Sequence, residues 1–359
     1  MKVAARLVLR CACVVWCLLL AGCSPAYVLR AGYEEARILW RRQPIEQLLQ
    51  SGTLDATTRS KLELVLAVRV FARDALGLRV GGSYASLARV DADQVVHVVT
   101  AAYRLRLESY TWWFPIVGRV PYKGYFSKSD AEAEAAELEQ EGYDTSVRPS
   151  VAFSTLGWFA DPLLSNLLRY DRATLANVII HELLHNTSYV GGHAEFDESF
   201  ANFVGHRGAI LFFADQGDAA AVDEAAAAWN QTLRFSAFLG DFTARLRTAY
   251  AAGATVADRQ QLFTAAQQEF LQLPDRPDAY RDFATEPLNN AVILQYLAYT
   301  DRLQLFESLW QQQHNDLAHT IQLVVQAVHR DRRDPFAAVK AMLGAQSARL
   351  PVAGGYGGR

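Results

Sequence analysis

Two histidines four apart, with a glutamate directly after the first, stand in the segment NVIIHELLHNTSYVGGHAEFDESFANFVG, residues 177–205. Imidazole nitrogens and carboxylate oxygens are ligands for a divalent cation, and a carboxylate can also carry a proton during catalysis. On a helix turning 100° per residue, His185 falls about 40° from His181, so both rings share one face. Leu175, Val178, Ile179, Ile180, Leu183 and Leu184 take up most of the remaining circumference, and a helix that is apolar nearly all round is a buried one. Buried imidazoles and carboxylates need partners, because leaving them unpaired costs several kcal/mol. A cation between His181 and His185 supplies that partner, and Glu182 can reach a water beside it. This is the His-Glu-x-x-His arrangement of a zinc site with a catalytic base.

Such a site needs a third protein ligand. Gly191-Gly192 marks a turn, and a second helix starts near residues 194–197. The candidates are His193, Glu195, Asp197 and Glu198. Ala201, Asn202 and Gly205 lie within about 60° of Glu198 on a helical wheel, while Phe196, Phe200, Phe203 and Val204 lie on the far side. Glu198 therefore sits on a strip of small residues that lets its helix approach the first closely. That strip favours Glu198 as the third ligand. His193 is close to the turn, Asp197 points away from the strip, and Glu195, about 60° off, suits an outer position supporting the ligands or that of an ordinary surface acid.

The elements that position this segment are mostly helical. Residues 27–50 and 55–76 have helix periodicity, the second opening after Leu54-Asp55 and stopping near Gly77. Residues 94–108 look extended, with Tyr103, Leu105 and Leu107 alternating with Arg104, Arg106 and Glu108. The aromatic run TWWFPIVGRVPYKGYF reads as short strands or loops. Ser129-Asp130-Ala131-Glu132 has the pattern of a capping box opening a helix that ends near Gly142. Residues 143–154 look extended again, with Pro149 pointing to an edge strand. Asp171 is a natural N-cap for a helix over 172–188. Helices are then expected over 218–251, 256–272, 288–313, 316–330 and 335–344. The fold class is α+β and predominantly helical: a small sheet preceding the metal-site helix, then a helical C-terminal half.

The first 22 residues carry Lys2, Arg6 and Arg10, then an apolar run from Cys11 to Leu20 that has signal-peptide length and is too short for an ordinary span. The segment closes on Leu20-Ala21-Gly22-Cys23, which resembles the bacterial lipoprotein box. That resemblance implies cleavage before Cys23 and diacylation of its sulfur. By resemblance to the lipoprotein sorting rule, which uses Asp there for inner-membrane retention, Ser24 implies the outer membrane, with the domain facing the periplasm. All four cysteines lie in residues 1–23, so no disulfide and no cysteine metal site is expected in the mature domain. Removing three cations leaves 32 basic against 38 acidic residues, a charge of −6, and nothing suggests a nucleic-acid surface. The expected organisation is a cleaved segment over 1–22, one domain over 23–345, and a loose Gly-rich tail over 346–359.

HELLH followed by DESFANFVG is similar to the gluzincin metallopeptidases, in which a glutamate on the next helix completes a two-His, one-Glu zinc site. Asp197-Glu198-Ser199-Phe200-Ala201 resembles the Asn-Glu-Gly-Phe-Ala segment of aminopeptidase N relatives. More closely, the lipoprotein box, HELLHNTSYV and FDESFANFVG together resemble the putative aminopeptidase family of bacterial lipoproteins. The resemblance implies a gluzincin-like core, one Zn2+ held by His181, His185 and Glu198, Glu182 as catalytic base, and a peptide substrate. Two departures stand out. Only twelve residues separate His185 from Glu198, a shorter return than in aminopeptidase N or thermolysin, and no Gly-x-Met-Glu-Asn segment is present to hold a free amine.

The expected activity is zinc-dependent peptide hydrolysis, of aminopeptidase type by the family's name. The alternative is an envelope-assembly or binding lipoprotein with a structural or vestigial metal site. An oxyanion donor is sought in NNAVILQYLAYTDRL, where Tyr296 and Tyr299 are candidates. SVAFSTLGWF, just before the metal-site helix, could bind substrate backbone by strand addition. Other features have plain readings. His97 is expected in the core, and His206, His314, His319 and His329 at the surface or at helix ends. The run AEAEAAELEQE reads as a solvated helix face, and Trp112-Trp113-Phe114 as core or interface.

Overall fold

The computed structural model describes residues 37, 39–90, 96–114, 118–150 and 160–347. The lipoprotein-box segment with Cys23, most of SVAFSTLGWF and the tail beyond 347 lie outside the described residues. The architecture is α+β and predominantly helical.

Gln43–Pro44 forms a two-residue strand (β1) that pairs with Leu87 and Ser86, and helix α1 follows over Ile45–Gln50. The expected single helix over 27–50 is thus interrupted here. A residue before proline avoids the helical region, and proline itself has no N–H for a preceding turn. Helix α2, Ala56–Asp74, starts as expected at Asp55, whose carboxylate accepts from Thr58 N. Ser86–Ala88 (β2) joins β1 antiparallel and Leu163–Leu164 (β8) in parallel.

The second sheet has the order β6-β3-β7, with β3 over Val96–Tyr103, β6 over Tyr122–Tyr125 and β7 over Tyr143–Ser150, all antiparallel. β7 is an edge strand, as Pro149 suggested, and the other edge is β6. β4 (Trp112–Phe114) and β5 (Gly118–Val120) form a separate hairpin. The extended run expected to 108 stops at Tyr103, and Leu105 is exposed. The chain curls here around Asn290, whose Nδ2 donates to the carbonyls of Tyr103, Arg104 and Arg106. His97 is half-buried on β3 rather than in the core.

Helix α3, Lys128–Gln140, covers one face of this sheet through Ala131, Ala135 and Leu138. Its N-cap is Ser127, two residues before the expected box, because the Ser127 hydroxyl accepts from Asp130 N. Glu134 is no solvated charge either: Trp112 Nε1, Lys123 Nζ and the Tyr125 hydroxyl all donate to it.

A short 3-10 turn, Ser165–Arg169, leads into α4 (Arg172–Thr187), α5 (Ala194–Asp215), α6 (Ala219–Ala251) and α7 (Val256–Leu271). The expected helix over 288–313 is two: α8, Asn290–Thr300, and α9, Leu303–Gln312, with Arg302 between them at φ +52°. The break lets the chain serve two cores. Ile293, Leu294 and Leu297 of α8 pack with Phe235, Phe242, Phe263, Phe270 and Phe283, whereas Leu303, Phe306 and Leu309 of α9 join the main core around α4 and α5. Helices α10 (Leu317–Arg330) and α11 (Pro335–Ser347) close that core. A buried ion pair, Arg259 to Asp144 at 2.6 Å, ties α7 to the sheet. Among the described residues no helix is long and apolar enough to cross a membrane.

Candidate metal centre

Helix α4 begins where Asp171 accepts from Thr174 N at 2.7 Å. Its Ala173, Leu175, Ala176, Ile179, Ile180, Leu183 and Leu184 are all buried, so the helix is packed on nearly every side. His181 and His185 are buried with it, at 9% and 5% exposure. Both rings therefore lie among packed side chains of the helix.

Helix α5 lies against α4 along small residues. A Cβ on Gly205 would sit 2.3 Å from Asn177 Oδ1, 2.9 Å from Asn177 O and 3.1 Å from His181 Cβ. One on Gly208 would sit 3.0 Å from Ile180 Cγ2. The strip inferred from sequence therefore runs from Glu198 past Ala201 and Gly205 to Gly208, and it allows backbone-to-side-chain approach that any larger residue would block.

The turn between the helices is held by Asp197. Both of its oxygens accept from Val190 N, at 3.0 and 3.1 Å, and Gly192 adopts φ +88°, a conformation that glycine takes at no steric cost. Asp197 points away from the small strip, as expected, and its role there is to staple the turn. Burial raises its pKa to about 7, against the lowering effect of the Val190 N–H.

Glu198 projects into the face shared by the two histidines. His181 Nε2 lies 3.2 Å from Glu198 Oε2 and 3.2 Å from His185 Nε2, and His185 Nε2 lies 3.7 Å from Glu198 Oε1. Three ligands at about 2.0–2.1 Å from one tetrahedral ion stand about 3.3–3.4 Å apart, so the donor set fits a zinc-sized cation. Among the described residues, His181, His185 and Glu198 are the group that could hold a metal ion. Burial lowers the pKa of His185, but Glu198 beside it, with Glu182 and Asp197, outweighs burial and lifts it to about 9. Burial acts in the opposite sense on Glu198, and there His185 and His181 win, holding the carboxyl well below its usual range. Each partner thus favours the ionised carboxylate that a metal ligand must be.

Glu182 shares the helix but not the ligand cluster. Its Oε2 is buried and has no hydrogen-bond partner, an acceptor waiting for a donor. Glu195 faces elsewhere: burial and the Asp301 carboxylate raise its pKa.

The two tyrosine candidates separate clearly. The Tyr296 hydroxyl donates to Glu286, which also receives Arg148, a contact that ties α8 to β7. Tyr299 lies with its ring centroid 6.2 Å from that of His181, half-exposed, and the Glu198 charge, then burial, push its phenol well above the ordinary value. Sequence reasoning missed two further tyrosines. Tyr122 opens the edge strand β6, and its pKa is raised by burial and then by Glu198. Tyr84 is treated below. No spacing marks either one, because only the electrostatic influence of Glu182 and Glu198 in the folded chain links them to the cluster. His206 was misplaced as well. It sits in the middle of α5, with its Nε2 3.3 Å from Asn177 Nδ2 and its ring 5.0 Å from Trp229. His314, His319 and His329 are exposed, as expected.

A family model described as putative aminopeptidase matches residues 26–335. No curated protein and no solved structure matches the chain.

Proposed function

The chain belongs to the putative aminopeptidase family, and from that premise we propose that it is a zinc-dependent peptidase with its reaction centre at His181, Glu182, His185 and Glu198. The observation that carries this reading is the convergence of two imidazole nitrogens and a carboxylate at 3.2–3.7 Å spacing on buried, tightly packed helices. A zinc ion bound there supplies Lewis acidity toward a peptide carbonyl and a water.

The chain's own groups do the rest. His181, His185 and Glu198 hold the ion, and Asp197 fixes the turn that presents Glu198. Glu182 takes the proton of the attacking water and passes it to the leaving amine. To Tyr299, whose ring centroid lies 6.2 Å from that of His181, we assign donation of a phenol hydrogen to the carbonyl oxygen as negative charge develops there. The aminopeptidase specificity is proposed from the family alone. Anchoring through lipid on Cys23, facing the periplasm from the outer membrane, is proposed from the lipoprotein box.

Glu182→Gln tests the chemistry. Zinc should stay bound, because the ligands are untouched, while peptide cleavage is abolished. A Gln variant that cleaves peptides at the wild-type rate rules out the assigned base. Free and N-acetylated peptides, compared side by side, decide whether a free amine is required.

A further inference from the structure

The loop before β2, residues 80–85, reads VGGSYA, and its tyrosine is held in an unusual state. Tyr84 has φ +59°, the left-handed region that a bulky residue enters only under strain of order 1 kcal/mol or more. It is also buried, at 3% exposure. Strain at a buried position persists only where neighbours enforce it, and here they do. Arg69 Nε donates to Ser83 O at 2.6 Å and Arg69 Nη2 to Gly81 O at 3.0 Å. Tyr84 N donates to Asp161 O at 2.7 Å.

The loop is also fastened to the metal-site helix. Asn186 Nδ2 donates to Ser83 Oγ at 3.2 Å. Asn186 is one helical turn beyond Glu182, so the two share a face of α4. Tyr84, the next residue, therefore sits on a loop fastened along the Glu182 face of α4, and Glu182 Oε2 is buried without a partner. The electrostatics agree: burial, then the Glu182 and Asp161 carboxylates, push the Tyr84 phenol well above its ordinary value.

We infer that Tyr84 is the positioning residue for Glu182, its phenol hydrogen engaging Glu182 Oε2 directly or through one water so that the other carboxylate oxygen faces the reacting water. The inference rests on the peptidase reading for its catalytic meaning. The contact between the two side chains stands or falls independently.

The test is Tyr84→Phe in the full zinc-loaded chain, which keeps the ring and removes only the hydroxyl. The expected result is a kcat reduced roughly tenfold or more, the scale of a lost charge-assisted hydrogen bond. KM should stay within about twofold, zinc content unchanged, and Tm within about 2 °C. Crystal structures provide the readout independent of turnover. Wild type should show Glu182 Oε2 bonded to the Tyr84 hydroxyl or to a water shared with it, and the variant should show the carboxylate reoriented. Wild-type kcat in Tyr84→Phe overturns the inference. So does a kcat loss that comes with lost zinc or a large fall in Tm, since that marks a purely structural residue. If the wild-type chain cleaves no peptide, the peptidase reading fails, and the crystal comparison still upholds or refutes the Tyr84–Glu182 contact.

Discussion

Replacing Gly205 by alanine places one methyl group at the closest point between the two helices of the metal centre. The new Cβ would stand 2.3 Å from Asn177 Oδ1, 2.9 Å from Asn177 O and 3.1 Å from His181 Cβ. The Asn177 side chain can rotate away, but its carbonyl belongs to α4 and the His181 Cβ is fixed by the same backbone. Relief therefore requires α5 to move away from α4 by several tenths of an ångström. Glu198 rides on α5 and stands 3.2 Å from His181 Nε2, whereas metal ligands tolerate only about 0.2 Å of misplacement. Overpacking of this kind costs about 1–3 kcal/mol. Alanine also gains about 1 kcal/mol of helix propensity over glycine, so a control is needed that carries the same gain without the clash. Gly240, in the middle of α6, has nothing within 4 Å of its built Cβ. Gly240→Ala should raise stability by about 0.5–1 kcal/mol, and Gly205→Ala should lie about 1–3 kcal/mol below it. The assay is urea unfolding of the metal-free proteins, followed by zinc affinity measured against a competing chelator, where Gly205→Ala should bind roughly ten- to a hundredfold more weakly. Equal stabilities and equal zinc affinities in the two variants would refute close helix approach as the device that delivers Glu198.

Three more outcomes follow from the same packing. Asp197→Ala leaves the buried Val190 N–H without its acceptor and should cost about 1–3 kcal/mol in urea unfolding, with weakened zinc binding; unchanged binding would show that the turn needs no staple. Glu307 receives Arg207 Nε and Nη2, each at 2.6 Å, and Trp229 Nε1 at 2.9 Å. Glu307→Ala strands a largely buried guanidinium, so a loss of about 3 kcal/mol is expected, and a change below about 1 kcal/mol in the same assay would contradict it. Burial, and then the neighbouring His181 and Arg207, push the His206 pKa down to about 3. Its folded pKa is depressed below the unfolded value near 6.5. Its stabilising effect is therefore complete above pH 6.5 and is lost as pH falls toward 3, by about 1–2 kcal/mol at pH 5. The difference between wild type and His206→Gln in unfolding free energy, followed from pH 7.5 to 5, should show that loss, and parallel curves would exclude it.

The cluster that could hold a metal was legible because its signals are local. An N-cap at Asp171, an apolar circumference and two histidines on one face are properties of a single helix, and the small strip from Glu198 to Gly205 is a property of the next. What escaped reading depends on other parts of the chain. The turn staple at Asp197 shows only when Val190 N is found on its carboxylate. Helix periodicity runs unbroken through Asp301-Arg302, and the break there is imposed by two separate cores competing for the apolar residues on either side. Glu134 looks solvated in an acidic run until the sheet brings Trp112, Lys123 and Tyr125 to it. His206 has no motif spacing, and only the packing of Asn177 and Trp229 reveals its environment. Tyr84 and Tyr122 lie on separate elements, and no sequence period links either one to the candidate site.

Zinc K-edge absorption on the purified full chain, paired with metal content for the single variants His181→Ala, His185→Ala and Glu198→Ala, tests the central claim most directly. One zinc per chain with two nitrogen ligands at about 2.0–2.1 Å and a carboxylate oxygen at about 2.0–2.2 Å, lost or greatly weakened in each variant, is the expected result. A chain that takes up no zinc, or one whose Glu198→Ala variant binds it undiminished, contradicts the account.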